Sequence, residues 1–158
     1  MPTIHTEIEI NAPAAVVSQI LYQFNKYPEW NTFLTFVLGN SNDYSHRPQE
    51  LANEHITIQV WTPGKQKPQI FDCVVNKWEP NNLSWEGHLL SKHIIKGEHY
   101  FEIVPVSENK CIFKHGENFS GGVAAVASFT SVFENLKPNY ERMNQELKKR
   151  AEAGVSKL

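Results

Sequence analysis

The chain has 158 residues, a length that fits one domain with a core and an internal cavity. Its 15 basic and 17 acidic residues leave a formal charge of -2, so no global field draws it to nucleic acid or to an anionic membrane. The opening MPTIHTEIEI has neither the basic start and apolar run of a signal peptide nor a membrane span, so a cytoplasmic protein without membrane insertion is expected.

Residues 3–10 alternate, with Ile4, Thr6, Ile8 and Ile10 on one face and His5, Glu7 and Glu9 on the other, which reads as a half-buried strand with His5 exposed. A helix should follow, with Asn11 as cap, Pro13 in the first turn, and Val16, Val17, Ile20, Leu21 and Phe24 on one face. The aromatic spacing of Tyr27, Trp30 and Phe33 predicts a second short helix over 27–33. Thr35 to Leu38 read as a strand. The polar stretch 39–53 reads as a long loop, either a lid or a plain insertion.

Five further strand-like runs follow, near 54–62, 69–78, 82–90, 94–105 and 110–119. Their separators carry Gly, Pro, Asn or Ser, and a spacing of about ten residues with short connections predicts an antiparallel meander. Cys73 and Cys111 lie within apolar runs and read as buried thiols. After Gly121-Gly122 the period becomes helical, with Phe129, Val132, Phe133, Leu136, Tyr140, Met143 and Leu147 on one stripe. The stripe keeps its phase across Pro138, which predicts one kinked helix rather than two. Lys148, Lys149 and Arg150 close it as a solvated, cation-rich helix end. One antiparallel sheet needs one face covered, and only this terminal helix is long enough to cover it.

Four motifs in order resemble the SRPBCC superfamily, the START/Bet v 1-like helix-grip fold, and within it the small polyketide cyclase/dehydrase-like proteins. They are IEINAPAAVVSQIL followed by FNKYPEWNTF, then LSWEG, then GEHYFEIVP, then HGENFSGG leading into a helix that ends MNQELKKRAE. Thr32 stands where such sequences usually have proline after Trp-Asn, the 39–53 loop is long, and Pro138 is unexpected. The resemblance implies an α+β helix-grip domain over 1–158, with about seven strands in the order β-α-α-β6-α wrapped around the terminal helix. It also implies a cavity for an aromatic, polyketide-like or lipid-like molecule. Fold alone does not choose among binding protein, catalyst and carrier.

Strand parity selects candidates. His99, Phe101 and Ile103 share one face of their strand, and Cys111, Phe113, His115, Glu117 and Phe119 share one face of the next. A turn centred near Ser107 would set His99 opposite His115, and one residue later would set it opposite Glu117. Either register makes His99 and Glu117 a candidate acid/base pair in an apolar cavity, with a structural hydrogen-bond role as the alternative. Candidate ligand contacts are Trp30, Asn31, Asp72, Trp85, Phe101, Phe113, His115, Phe119, Phe129 and Phe133. Asp72 shares parity with Ile70, Val74 and Trp78, which would point it inward, although drift at the strand end would equally expose it. His88, His93 and His99 are too irregularly spaced for one strand face, and no Cys-x-x-Cys, His-Glu-x-x-His or phosphate-binding glycine pattern occurs, so neither metal nor cofactor is expected.

The expected function is binding of a small hydrophobic molecule by a monomer or homodimer. The alternatives are a cyclase/dehydratase-type enzyme using His99 and Glu117, and a lipid carrier or accessory protein.

Overall fold

A computed structural model describes residues 3–37, 53–89, 95–122 and 130–155. Strand β1 (Thr3–Ile10) leads into helix α1 (Ala14–Tyr22), a 3-10 helix (Phe24–Glu29) and β2 (Leu34–Val37). Strands β3 (His55–Val60), β4 (Gln69–Glu79), β5 (Asn82–Leu89), β6 (Ile95–Ser107) and β7 (Lys110–Gly121) precede helix α2 (Thr130–Val155). The strands form one seven-stranded antiparallel sheet in the order β1-β7-β6-β5-β4-β3-β2, curled around α2 as the helix-grip reading expects.

Strand positions follow the alternation in the sequence because one face of the sheet is buried. Along β6, Ile95, Gly97, His99, Phe101 and Ile103 are buried, and the residues between them are not. α2 lays Tyr140, Met143, Leu147 and Ala151 against this concave face, and all four are fully or almost fully buried. Pro138 lies inside α2, which continues through it as a single helix. The apolar phase across the proline is what keeps both halves docked on one core.

Two local expectations give way to side-chain chemistry. Asn11 does not cap α1 with its side chain; Pro13 takes the cap position, and the Asn11 N–H donates to Glu152 Oε1 at 2.9 Å. The second helix is a 3-10 helix three residues earlier than the aromatic spacing suggests. A helix over 27–33 would pair the N–H groups of Phe33 and Leu34 with carbonyls one turn back. Both instead donate to Asn31 Oδ1, at 3.0 and 2.8 Å, and the chain turns into β2. An aromatic cluster holds the 3-10 helix, with Phe24 stacked on Phe36 at 3.8 Å and edge-on to Trp78 at 5.3 Å. The 39–53 loop lies outside the described residues apart from Asn53.

Candidate functional site

The pairing of β6 with β7 sets His99 directly opposite Glu117, and Phe101 opposite His115. The sheet thus carries ordered rows of inward side chains. One row runs Val75, Trp85, His99, Glu117, Ile4, and the next runs Leu83, Phe101, His115, Thr6. On the other side of the His99 row stand Gly87 and Gly97, paired with each other on adjacent strands. These two missing side chains open space against the sheet.

A cavity of about 310 Å³ lies against this part of the sheet. Phe33, Leu34, Ile58, Val60, Phe71 and Leu136 give it apolar walls, and Trp85, Gly87 and Gly97 form its sheet side. Its polar focus is His99, Glu117 and Tyr140, with Gln69 and Cys73 also on the wall. Burial, reinforced by the Glu117 and Asp72 charges, pushes the Cys73 thiol up to about 12, so it stays protonated and is no nucleophile at neutral pH.

His99 is held on several sides. Trp85 stacks parallel on its ring at 4.8 Å, and Tyr140 lies 5.0 Å away. Its Nε2 meets His115 Nε2 at 2.7 Å, while its Nδ1 lies 3.8 Å from Glu117 Oε2. Tyr140 donates its hydroxyl to that same Glu117 oxygen. Burial first, and the Glu117 carboxylate second, push the Tyr140 phenol well above its ordinary range, which keeps it a donor.

The proton positions follow from the far end of this network. Thr6 Oγ1 lies 2.7 Å from the carbonyl of His115, which can only accept, so the hydroxyl donates there. Its 2.8 Å contact with Asn144 must then receive the amide N–H from Nδ2. That leaves Asn144 Oδ1 facing His115 Nδ1 at 2.8 Å, so His115 carries its proton on Nδ1. Desolvation first, and the repulsion that a second imidazolium beside His99 would meet, hold His115 well below its ordinary pKa and hence neutral. His115 Nε2 is therefore an acceptor, and His99 must donate from Nε2. Neutral His99 then has its lone pair on Nδ1, the nitrogen beside Glu117. A proton taken up there would make an imidazolium facing a carboxylate, the geometry of a general acid/base pair.

The other candidate residues divide. Trp85 lines the cavity. Phe101, Phe113, Phe119 and His115 are almost fully buried, the first two and His115 forming a packed aromatic layer one row behind the cavity wall. Trp30 packs on Tyr27 with ring centres 4.9 Å apart. Asn31 spends its side chain on the backbone, accepting from Phe33 and Leu34 and donating to the Tyr27 carbonyl at 2.9 Å. It positions two cavity-wall residues rather than facing a ligand.

Asp72 is a correction: it lies on the exposed face and accepts from Thr57 Oγ1 at 3.0 Å. A bulge between Val75 and Lys77 shifts parity within β4, so Cys73, Val75 and Trp78 are all buried, and counting back from Trp78 gives the wrong face for Asp72. Phe129 lies outside the described residues, as does the Phe133 side chain.

Tyr140, Asn144, Thr6 and the Gly87–Gly97 pair were not singled out from the sequence. Thr6 as the one polar member of an apolar strand face, and Asn144 four residues after Tyr140 on the buried side of the helix, were the available signals. Among the described residues no group of three His, Cys, Asp or Glu side chains could hold a metal ion. No helix among them is long and apolar enough to cross a membrane.

A search of the curated proteins returns no match. Among solved structures, a START superfamily protein from Mycobacterium smegmatis is similar at 17% identity and a TM-score of 0.66, over 96% of this chain and 97% of that one. The Zhui aromatase/cyclase from a Streptomyces species is similar at 10% identity and a TM-score of 0.67, over 98% and 95%. Norcoclaurine synthase from Thalictrum flavum, solved with dopamine and hydroxybenzaldehyde, is similar at 12% identity and a TM-score of 0.64, over 94% and 84%. At these identities the likeness is one of fold. The sequence profile of the family described as polyketide cyclase / dehydrase and lipid transport matches residues 1–152, almost the whole chain, and the chain belongs to that family.

Proposed function

We propose that this protein binds a small, largely apolar ring compound in the cavity between the sheet and α2. The observation that carries this reading is the cavity itself: about 310 Å³ with apolar walls and a single polar focus of His99, Glu117 and Tyr140. Ligand pockets commonly span roughly 300–1,000 Å³. A volume at the small end favours a compact one- or two-ring molecule over an extended acyl chain. Family membership and the fold shared with an aromatase/cyclase support the same chemical class. Native mass spectrometry of the purified chain tests it: a co-purified ring compound, displaced by occlusion of the cavity through Gly97→Ala, is the expected result. Long-chain lipid in its place would favour a carrier.

A second reading, acid–base catalysis on the bound molecule as in a cyclisation or dehydration, is favoured by the fixed tautomer of His99. In it His99 Nδ1 takes or returns a proton at a carbon beside a carbonyl, and Glu117 stabilises the imidazolium that forms. His99→Ala should then abolish turnover of a polyketide-type substrate while the variant still folds and binds. A fall in thermal stability with turnover intact would exclude this role.

A further inference from the structure

The polar focus of the cavity carries a charge, and its sign selects ligands. Glu117 lines the cavity with its side chain only 14% exposed. The described lining includes no Lys or Arg at all. Of the basic groups near the lining in sequence, Lys96 reaches Glu86 on the outer face at 3.6 Å, Lys114 alternates away from His115 on β7, and Lys137 and Arg142 line a separate pocket beside β1. Among the described lining residues His99 is the one group able to become cationic, and it does so only beside Glu117, 3.8 Å away. With His99 neutral the polar focus is net negative, and with His99 protonated it is net zero. In neither state is it net positive.

We infer that this cavity selects neutral or cationic ring compounds, bearing a hydroxyl, amide or amine donor for Glu117, and rejects their carboxylate and phosphate counterparts. An anion entering it would shed water without meeting a compensating cation among the described lining residues and would stand close to a like charge at low dielectric. A donor on a neutral or cationic ligand completes the acceptor capacity that Tyr140 leaves on the Glu117 carboxylate. The aromatic side chains Phe33, Phe71 and Trp85 supply flat surface for the ring. The inference rests on the ligand-binding reading above and narrows it. A free fatty acid or an aryl carboxylate is thereby excluded as the resident molecule, and an aryl alcohol, amide or amine is admitted.

Three probes on one bicyclic scaffold separate the possibilities: indoleacetamide, tryptamine and indoleacetate, titrated calorimetrically into the full chain at neutral pH. The amide and the amine should bind, and the carboxylate should bind at least tenfold more weakly than the amide. A smaller difference, or a preference for the carboxylate, overturns the charge selection while leaving ligand binding standing. Failure of all three to bind overturns the ring-compound reading and this inference with it. Glu117→Gln, checked for folding by its thermal transition, should narrow the amide-to-carboxylate ratio. A folded variant with an unchanged ratio removes Glu117 as the cause. The wild-type ratio decides the matter by itself if the variant does not fold.

Discussion

His99 and His115 meet nitrogen to nitrogen, Nε2 to Nε2 at 2.7 Å, and the direction of that bond is set by a threonine on the edge strand β1. Thr6 orients Asn144, Asn144 orients His115, and His115 leaves His99 its lone pair on the cavity side. Long-range nitrogen-15 spectra at neutral pH should therefore show His115 protonated at Nδ1 and neutral His99 protonated at Nε2. Asn144→Leu removes the orienting amide and leaves buried partners on two sides, so it should cost about 1–3 kcal/mol in urea unfolding. The same variant should lose the single-tautomer signature. Retention of the His115 Nδ1 proton signal in Asn144→Leu would disconnect the amide from the tautomer.

The protonation of His115 makes stability depend on pH. Its folded pKa lies well below the ordinary 6.5 because burial penalises the imidazolium, whereas the unfolded chain takes up that proton normally. Between those two values the unfolded state binds more protons, so stability rises with pH. The contribution is complete above pH ~6.5 and is lost as pH falls below it, with a slope approaching about 1.4 kcal/mol per pH unit. The urea midpoint should fall between about pH 7 and pH 5, at constant m. His115→Gln should flatten that decline, and an equal decline in the variant would place the acid sensitivity elsewhere.

The paired glycines should be unequal under mutation. A Cβ at Gly97 would run into the Glu117 carboxylate, whereas one at Gly87 would stand 3.0 Å from Cys73 Sγ. Neither glycine has a positive φ, so any penalty comes from crowding rather than from the backbone. Gly97→Ala should displace the carboxylate and weaken ligand binding by about tenfold, equivalent to roughly 1.4 kcal/mol. Gly87→Ala should have a smaller effect, relieved further by Cys73→Ala. The reverse order of affinities would show that the carboxylate is not what the missing Gly97 side chain accommodates.

Thr32 ties the turn before β2 to α2. Its N–H and hydroxyl reach Glu146 Oε1 at 3.2 and 3.1 Å, and its Oγ1 accepts from Arg142 Nε at 2.9 Å. A proline, which the resemblance leads one to expect here, could make none of these bonds. Because the site is exposed, Thr32→Val should cost only about 0.5–1 kcal/mol, and Thr32→Pro somewhat more because the N–H is lost too. Denaturant midpoints of the two variants check the order. If both match the wild type, the clasp has no energetic role.

The strands and the shared inward face of His99 and Glu117 could be read from the sequence because a half-buried strand writes its orientation at every second residue, but alternation allowed two registers and did not choose the one that opposes them. The reading failed where that period breaks. The bulge after Val75 displaced Asp72 to the outer face, and Asn31 overrode the helical spacing of Tyr27, Trp30 and Phe33 through its own side-chain bonds. The roles of Tyr140, Asn144 and Thr6 depend on how a helix docks across strands that lie between 23 and 138 residues away in sequence. Local periodicity states that Tyr140 and Asn144 are buried, not which strand residue each will meet.

The amide in the middle of the histidine network has a kinetic consequence. Two imidazoles and a hydroxyl could in principle hand a proton along, each accepting on one side while releasing on the other. A carboxamide cannot take part in that traffic at neutral pH, since its nitrogen does not readily gain or lose a proton. Asn144 is thus a terminus for proton movement even though it is a link for orientation. Whatever proton His99 acquires on Nδ1 has to depart from the same side, by way of the bound molecule, Glu117 or solvent entering the cavity. The core behind His99 aims the imidazole but gives its proton no rear exit.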